Sequence, residues 1–276
     1  MSRGWVVALV ALVAVGVAGR ADERLTKKPA APEKPTYEYR LDHDPDGIGK
    51  FYQGREIAHV MGHLGAGWLE RPEREQEEEP GRMLEALKLK AGDVVCDLGA
   101  GSGYLSFRMS KLVGPTGKVL AVDIQPEMLA IMRRRIREKK ITNVELIRGT
   151  EQDPKLPEGK VDLILMVDVY HEFSHPWEMT AAMVKALKPG GRLAFVEYRK
   201  EDPEVPIKLV HKMTEKQVIK EMEPFPLRWV GTSKVLPRQH IVIFAKEEKG
   251  AKEAVKEEKG TKEEKGLKES PPRPAR

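Results

Sequence analysis

The sequence predicts an α/β fold: a doubly wound sheet of mostly parallel strands with an antiparallel edge strand. Three observations carry the prediction. From "VVCDLG" onward, short apolar runs alternate with stretches of helical period, the pattern of strand–helix–strand units. The first apolar run ends in a glycine-rich turn, as expected where a strand meets a helix at a ligand crevice. The last two strand-like runs follow one another with no helix between them, so they close the sheet as an antiparallel pair.

The elements follow in order. "VVCDLG" is the first strand and "YLSFRMSKLV" the first helix of the sheet region. "KVLAVDI" is the second strand, and "QPEMLAIMRRRIREKK" a helix whose basic end suits its C-terminal dipole. "NVELIRG" and "VDLILMV" are strands, the second apolar enough to be central. "PWEMTAAMVKAL" reads as a helix stopped by "KPGG", and "RLAFVEY" as the next strand. "TEKQVIKEME" is a last helix with Thr214 as N-cap, before the closing strands "LRWVGT" and "QHIVIFAK". Ahead of the sheet, "GREIAHVMGHLGAGWLE" shows a helical stripe through Ile57, Val60, Met61 and Leu64, and "PGRMLEALKL" a short helix. Residues 50–89 are therefore expected to form an N-terminal helical lid, with Ile57, Val60 and Leu64 packed.

The ends differ from this body. Residues 1–20 combine Arg3, an apolar stretch from Trp5 to Val17 and small residues beyond it, which is the pattern of an export signal. Either it is cleaved, or it is retained and attaches the protein to the membrane; in both cases the rest is expected outside the cytoplasmic membrane. Residues 21–49 are polar and punctuated by Pro29, Pro32, Pro35 and Pro45, as in an extended linker. Residues 247–276, with "KEEKG" starting at Lys246, Lys256 and Lys262, bury too little to offset ordering entropy and are expected to be a disordered charged tail. The folded domain is thus placed at 50–246. The net charge of +5 comes from mixed charges without interleaved aromatics, which argues against nucleic acid as a partner. The single cysteine, Cys96, lies in an apolar run and reads as a core residue. No pattern sets an oligomeric state.

The glycine turn decides the ligand class. A dinucleotide loop needs G-x-G-x-x-G/A, but here Gly99, Gly101 and Gly103 are followed by Tyr104 where a small residue belongs. No G-K-[ST] follows, so a phosphate-cradling loop is also disfavoured. Asp97 offers an acceptor at the strand end, and Asp123, 20 residues past Gly103, can accept two ribose hydroxyls. A nucleoside-type ligand without phosphates fits this set. The blander reading is a tight strand-to-helix turn with an aspartate at a strand end.

"VVCDLGAGSGYLS", "VLAVDI", "VDLILMVDVYHEF" and "LKPGGRLAFVEY", in that order, resemble the successive motifs of class I S-adenosylmethionine-dependent methyltransferases of the small-molecule type. The resemblance covers about residues 84–246. It implies a Rossmann-like methyltransferase sheet, S-adenosylmethionine as cofactor and a small-molecule methyl acceptor. By the same resemblance Gly99, Ala100, Gly101 and Gly103 line the methionine side with Asp97 near its amino group. Asp123 takes the ribose hydroxyls and Ile124 packs on adenine. The family's acidic adenine contact falls on "RGTEQDP", so Thr150 and Glu151 stand in for it; Asp168 also belongs to the cofactor set. The alternative class is a non-catalytic S-adenosyl-ligand-binding protein at the cell envelope.

The acceptor side centres on "VDVYHEFSHPWEM", which leaves the carboxyl end of a strand. His171 and Tyr170 are the candidate catalytic residues, His171 as a base where the nucleophile carries a proton. His171 and His175 have a metal-ligand spacing, but Pro176 places them in a loop, and no metal is expected. Tyr52, Arg55, His59, Met61, His63 and Trp68 are candidate pocket residues of the lid, and Glu197, Tyr198 and Arg199 of the strand end. "EVPIKLVHKMTE" is a candidate acceptor loop. Arg71, Arg74 and the run Glu75 to Glu79 are expected to be a solvated, ion-paired surface.

Overall fold

The computed structural model describes residues 34–248. The predicted signal segment, the first part of the linker and nearly all of the charged tail lie outside the described residues. Among the described residues no helix is long and apolar enough to cross a membrane.

Ahead of the parallel strands the chain forms a small antiparallel sheet of β1 (Glu38–Tyr39), β2 (Gly47–Tyr52) and β3 (Arg55–Ala58), in which Phe51 pairs with both Glu38 and Glu56. This corrects two expectations. Residues 50–58 are strand rather than helical lid, and residues 34–49 belong to the folded unit rather than to a linker. The cause is local: Gln53 and Gly54 both have positive φ, 50° and 90°, which makes a two-residue hairpin turn and reverses the chain before a helix can propagate. Ile57 is buried as expected, but Val60 is 45% and Leu64 91% exposed, so neither packs.

Short helices follow: α1 (Ala66–Leu69), α2 (Arg74–Glu78) and α3 (Pro80–Leu87). Glu79, left-handed at φ 48°, separates α2 from α3, and Pro80 opens the new helix where its missing N–H costs nothing. The turn tucks α2 inward. Arg74 and Glu78 are buried as a result, which overturns the solvated surface expected for them.

The main sheet has seven strands: β4 (Val94–Leu98), β5 (Lys118–Asp123), β6 (Val144–Arg148), β7 (Val161–Val167), β8 (Leu187–Tyr198), β9 (Leu227–Ser233) and β10 (Gln239–Lys246). Their spatial order is β6-β5-β4-β7-β8-β10-β9. Neighbours from β6 to β8 are parallel, and β10 runs antiparallel to both β8 and β9, as the sequence predicted. Between them run α4 (Ser106–Val113), α5 (Pro126–Lys139), α6 (Pro176–Ala186) and α7 (Glu215–Met222), the last capped by Thr214 Oγ1, which accepts the Gln217 N–H at 3.0 Å. "KPGG" is more than a helix stop: β8 bulges there, pairing Leu187 with Val161 and next Arg192 with Leu163.

Strand alternation divides the core. Cys96, Leu98, Ile164, Met166, Leu193 and Phe195 face α6 and α7 through Met179, Met183, Val218 and Met222. Val95, Leu163, Leu165, Ala194 and Val196 face α3 and α4 through Met83, Leu87, Met109 and Val113. A third cluster packs Leu129 and Met132 of α5 on Ala121. Helices on both faces leave the carboxyl ends of the parallel strands as the open crevice.

Candidate active site

The crevice is built on the turn after β4. Gly99 has φ 76°, and a Cβ there would stand 2.5 Å from Val169 Cγ2; Gly101 has φ 55° and is equally tight against Leu69. Only glycine lets this backbone lie so close to both walls. The loop is pinned from the next strand: Asp123 Oδ2 accepts the Gly101 N–H and Oδ1 the Gln125 N–H, both at 2.8 Å. Each carboxylate oxygen keeps acceptor capacity, so Asp123 can hold the loop and still receive a ligand hydroxyl.

Above the loop is a cavity of about 870 Å³, within the size range of small-molecule sites. Gly99, Gly101, Asp123, Ile124, Thr150, Glu151, Asp168 and His171 all line it. The structure thus brings most of the expected cofactor set and one expected catalytic residue to one space.

Four others do not line it. Asp97 lies buried behind the loop, accepting from Ser106 Oγ at 2.5 Å, and burial pushes its pKa up to about 6. Ala100 is buried beside Leu129 and Met132. Gly103 lies against Phe107 and Met132, where a Cβ would be 2.8 and 2.9 Å from their side chains; its smallness serves helix packing. Tyr170 is fully buried in the core, edge-on to Phe173 and Phe195, and its hydroxyl donates to Glu221 Oε2 at 2.8 Å. With its hydroxyl consumed and its ring enclosed, Tyr170 is a core residue rather than a catalytic one.

Asp168 is the most distinctive group on the wall. Its φ is 52°, unusual for a non-glycine residue. Oδ2 accepts from Gln239 Nε2 at 2.6 Å, whereas Oδ1 is buried with no hydrogen-bond partner. Burial, then the charges of Glu78 and Glu197, hold its pKa well above the usual carboxylate range, with Arg74 opposing them. Beside it, Glu78 accepts from Arg71 (2.6 Å), Arg74 (2.7 Å) and the Tyr198 hydroxyl (2.8 Å), a buried knot on the cavity wall that replaces the expected surface.

His171 and His211 meet on the wall of the same cavity. His171 Nδ1 lies 2.6 Å from Glu197 Oε2, and Nε2 lies 3.2 Å from His211 Nδ1. Burial alone would lower the His171 pKa, but the charge and hydrogen bond of Glu197 carry it above its ordinary value. The His211 pKa is lowered, first by burial and then by His171. Glu172 accepts the Met61 N–H at 3.1 Å, and burial pushes its pKa up to about 7. His175 turns elsewhere, toward Ser174 and Glu151.

The lid and strand-end candidates divide the same way. His59, Met61, Trp68 and Tyr198 line the cavity; Tyr52 is buried, and Arg55 is buried in a two-pronged pair with Glu221 at 2.8 and 3.0 Å. Arg199 is spent on the carbonyls of Leu236, Pro237 and Gln239. Pro206, Ile207, Lys208 and His211 bring the expected acceptor loop to the wall. Arg74 and Glu78 are the residues that sequence reasoning missed. The local signal was Glu79-Pro80, because a residue before proline is disfavoured from continuing a helix, so the charged run ends there.

A family model for the methyltransferase domain matches residues 89–264. The chain belongs to the methyltransferase domain family. Among solved structures, an S-adenosylmethionine-dependent methyltransferase from Aquifex aeolicus is similar over 68% of this chain and 100% of that one, at 27% identity and a TM-score of 0.64. The [4+2]-cyclase SpnF, at 14% identity and a TM-score of 0.54, shares the fold. A ubiquinone/menaquinone biosynthesis C-methyltransferase, UbiE, of Pseudomonas putida is 32% identical over 118 residues, which is 42% of this chain and 46% of that one. The UbiE of Pseudomonas aeruginosa strain LESB58 is 31% identical over the same length. The chain spans about half the length of these curated relatives.

S-adenosylmethionine is the cofactor this family implies, and the wall fits it. The unpartnered oxygen of Asp168 suits a cationic amino group, Asp123 suits vicinal hydroxyls, and Ile124 offers an apolar face beside them.

Proposed function

We propose that the protein is an S-adenosylmethionine-dependent methyltransferase acting on a small-molecule acceptor. One observation carries the reading: a single cavity is lined by the Gly99–Gly101 loop, Asp123, Asp168 with its unpartnered oxygen, and His171. The family match and the UbiE relatives support it.

Asp123 and Asp168 would hold the cofactor, with Thr150 and Glu151 at its adenine side. Bound there, it supplies an electrophilic methyl group on a sulfonium. The protein's own part is alignment. Gly99 and Gly101 keep the loop close to the ligand, and Met61, Trp68 and Ile207 exclude water from the path between donor and acceptor. Where the acceptor atom carries a proton, His171 would take it, with Glu197 holding the ring at Nδ1. The export signal in residues 1–20 would place this domain beyond the cytoplasmic membrane, which cell fractionation checks.

Calorimetry with S-adenosylmethionine and S-adenosylhomocysteine tests the cofactor half. Binding by the wild type and at least tenfold weaker binding by Asp123→Ala are expected; no wild-type binding would overturn the reading. Turnover on a panel of thiols, phenols and quinols then separates an enzyme from a binder.

A further inference from the structure

His171, Glu172 and His211 come from two separate segments, yet their donor atoms all lie within 4.8 Å of one another. All three line the cavity. Two imidazole nitrogens each about 2.0–2.1 Å from a tetrahedral ion stand roughly 3.3–3.4 Å apart. His171 Nε2 and His211 Nδ1 are 3.2 Å apart. The spacing is that of two ligands of one ion.

The surroundings are those of a ligand set. Glu197 Oε2 takes His171 Nδ1 at 2.6 Å, which fixes the ring and turns the Nε2 lone pair toward His211. A carboxylate behind a histidine is the usual support of a metal-bound imidazole. Glu172 is oriented in turn by the Met61 N–H. Glu197 also accepts the Tyr170 N–H, so the carboxylate is itself anchored.

We infer that His171, Glu172 and His211 bind a divalent transition-metal ion at the acceptor end of the cavity. Two imidazoles and one carboxylate suit zinc, iron, cobalt or nickel better than magnesium or calcium, which prefer oxygen donors alone. Three protein ligands leave a position open for a further ligand, and all three residues line the cavity. A hydroxyl or thiol coordinated there loses its proton to water and meets the methyl donor as the anion, so the imidazole need not act as a base. The acceptor class is then a phenol, enol or thiol; this last step rests on the methyltransferase reading, whereas the ion site does not.

The test uses the full chain, stripped with a chelator and titrated with Co²⁺, whose visible absorption reports nitrogen and oxygen ligation, and with Zn²⁺ against a chromophoric chelator. About one equivalent per chain is expected. His211→Ala and Glu172→Gln should each weaken uptake by about tenfold or more, while S-adenosylhomocysteine binding within about twofold of wild type shows that both variants are folded. His43→Ala, in the N-terminal sheet region, should change nothing. Uptake that is absent, or indifferent to both substitutions, overturns the site and leaves the two imidazoles as a hydrogen-bonded pair. S-adenosylhomocysteine binding without cobalt uptake would sink this inference alone; cobalt uptake without S-adenosylhomocysteine binding would sink only the methyltransferase reading.

Discussion

Glu197 Oε2 lies 2.6 Å from His171 Nδ1, while its Oε1 accepts the Tyr170 N–H at 3.0 Å. One carboxylate at the end of β8 therefore sets both the backbone and the side chain of the segment after β7. Glu197→Ala leaves two buried donors unpaired and is expected to cost about 3–5 kcal/mol, read from denaturant unfolding of the free protein. Glu197→Gln keeps the shape but loses the charge. It should lower kcat/KM about 10–100-fold with S-adenosylhomocysteine affinity nearly unchanged, and equal losses in both would contradict a role confined to the acceptor end.

Arg55 of β3 and Glu221 of α7 form a buried two-pronged pair, and the Tyr170 hydroxyl joins it through Glu221. Removing one partner strands a charge away from water. Arg55→Ala and Glu221→Ala should each lose about 3–5 kcal/mol, and the double variant should lose less than their sum. A double-mutant cycle with a coupling energy near zero would mean that β3 and α7 are not held together through this contact.

Asp97 supplies a pH signature of stability. Its folded pKa, about 6 because of burial, lies above the ordinary 3.8, so the folded state favours the protonated acid. Its stabilising contribution is complete below about pH 4 and is lost as pH rises through 6. Asp97→Asn removes this dependence. Relative to wild type, the variant should gain on the order of 3 kcal/mol between pH 4 and pH 8, measured on the free protein. The same stability difference at both pH values would show that the carboxyl ionises freely.

Asp168 gives a signature of binding. A ligand ammonium paired with its unpartnered oxygen would favour the ionised carboxylate, whereas burial favours the protonated one. Affinity for S-adenosylhomocysteine should therefore fall as pH drops through the raised pKa, above the usual carboxylate range. Asp168→Asn should weaken binding about tenfold and flatten that profile. A wild-type profile as flat as the variant's would remove Asp168 from the cofactor contacts.

Strand alternation and the glycine spacing made the main sheet legible, because period and turn chemistry are local properties. Asp123 and Gly101 were legible for the same reason: their roles follow from a strand end and a loop beside it. The N-terminal sheet was not. Ile57, Val60 and Leu64 fit a helical stripe, and only the paired left-handed residues Gln53 and Gly54 show that the chain reverses first. Arg74 and Glu78 read as surface because charged residues usually are; their burial depends on Tyr198, far along the chain. The meeting of His171 with His211 is tertiary, 40 residues apart, and no spacing rule encodes it.

The boundary of the family match at residue 89 runs through the wall of the cavity rather than around it. Ile48, Ala58, His59, Met61, Trp68, Arg74 and Glu78 all precede that boundary and all face the interior. The stretch that makes the chain recognisable therefore does not by itself enclose the chamber. A chimaera carrying residues 34–88 on a related methyltransferase core would bring less than a third of the residues that line the chamber, provided that Arg55 still finds its Glu221.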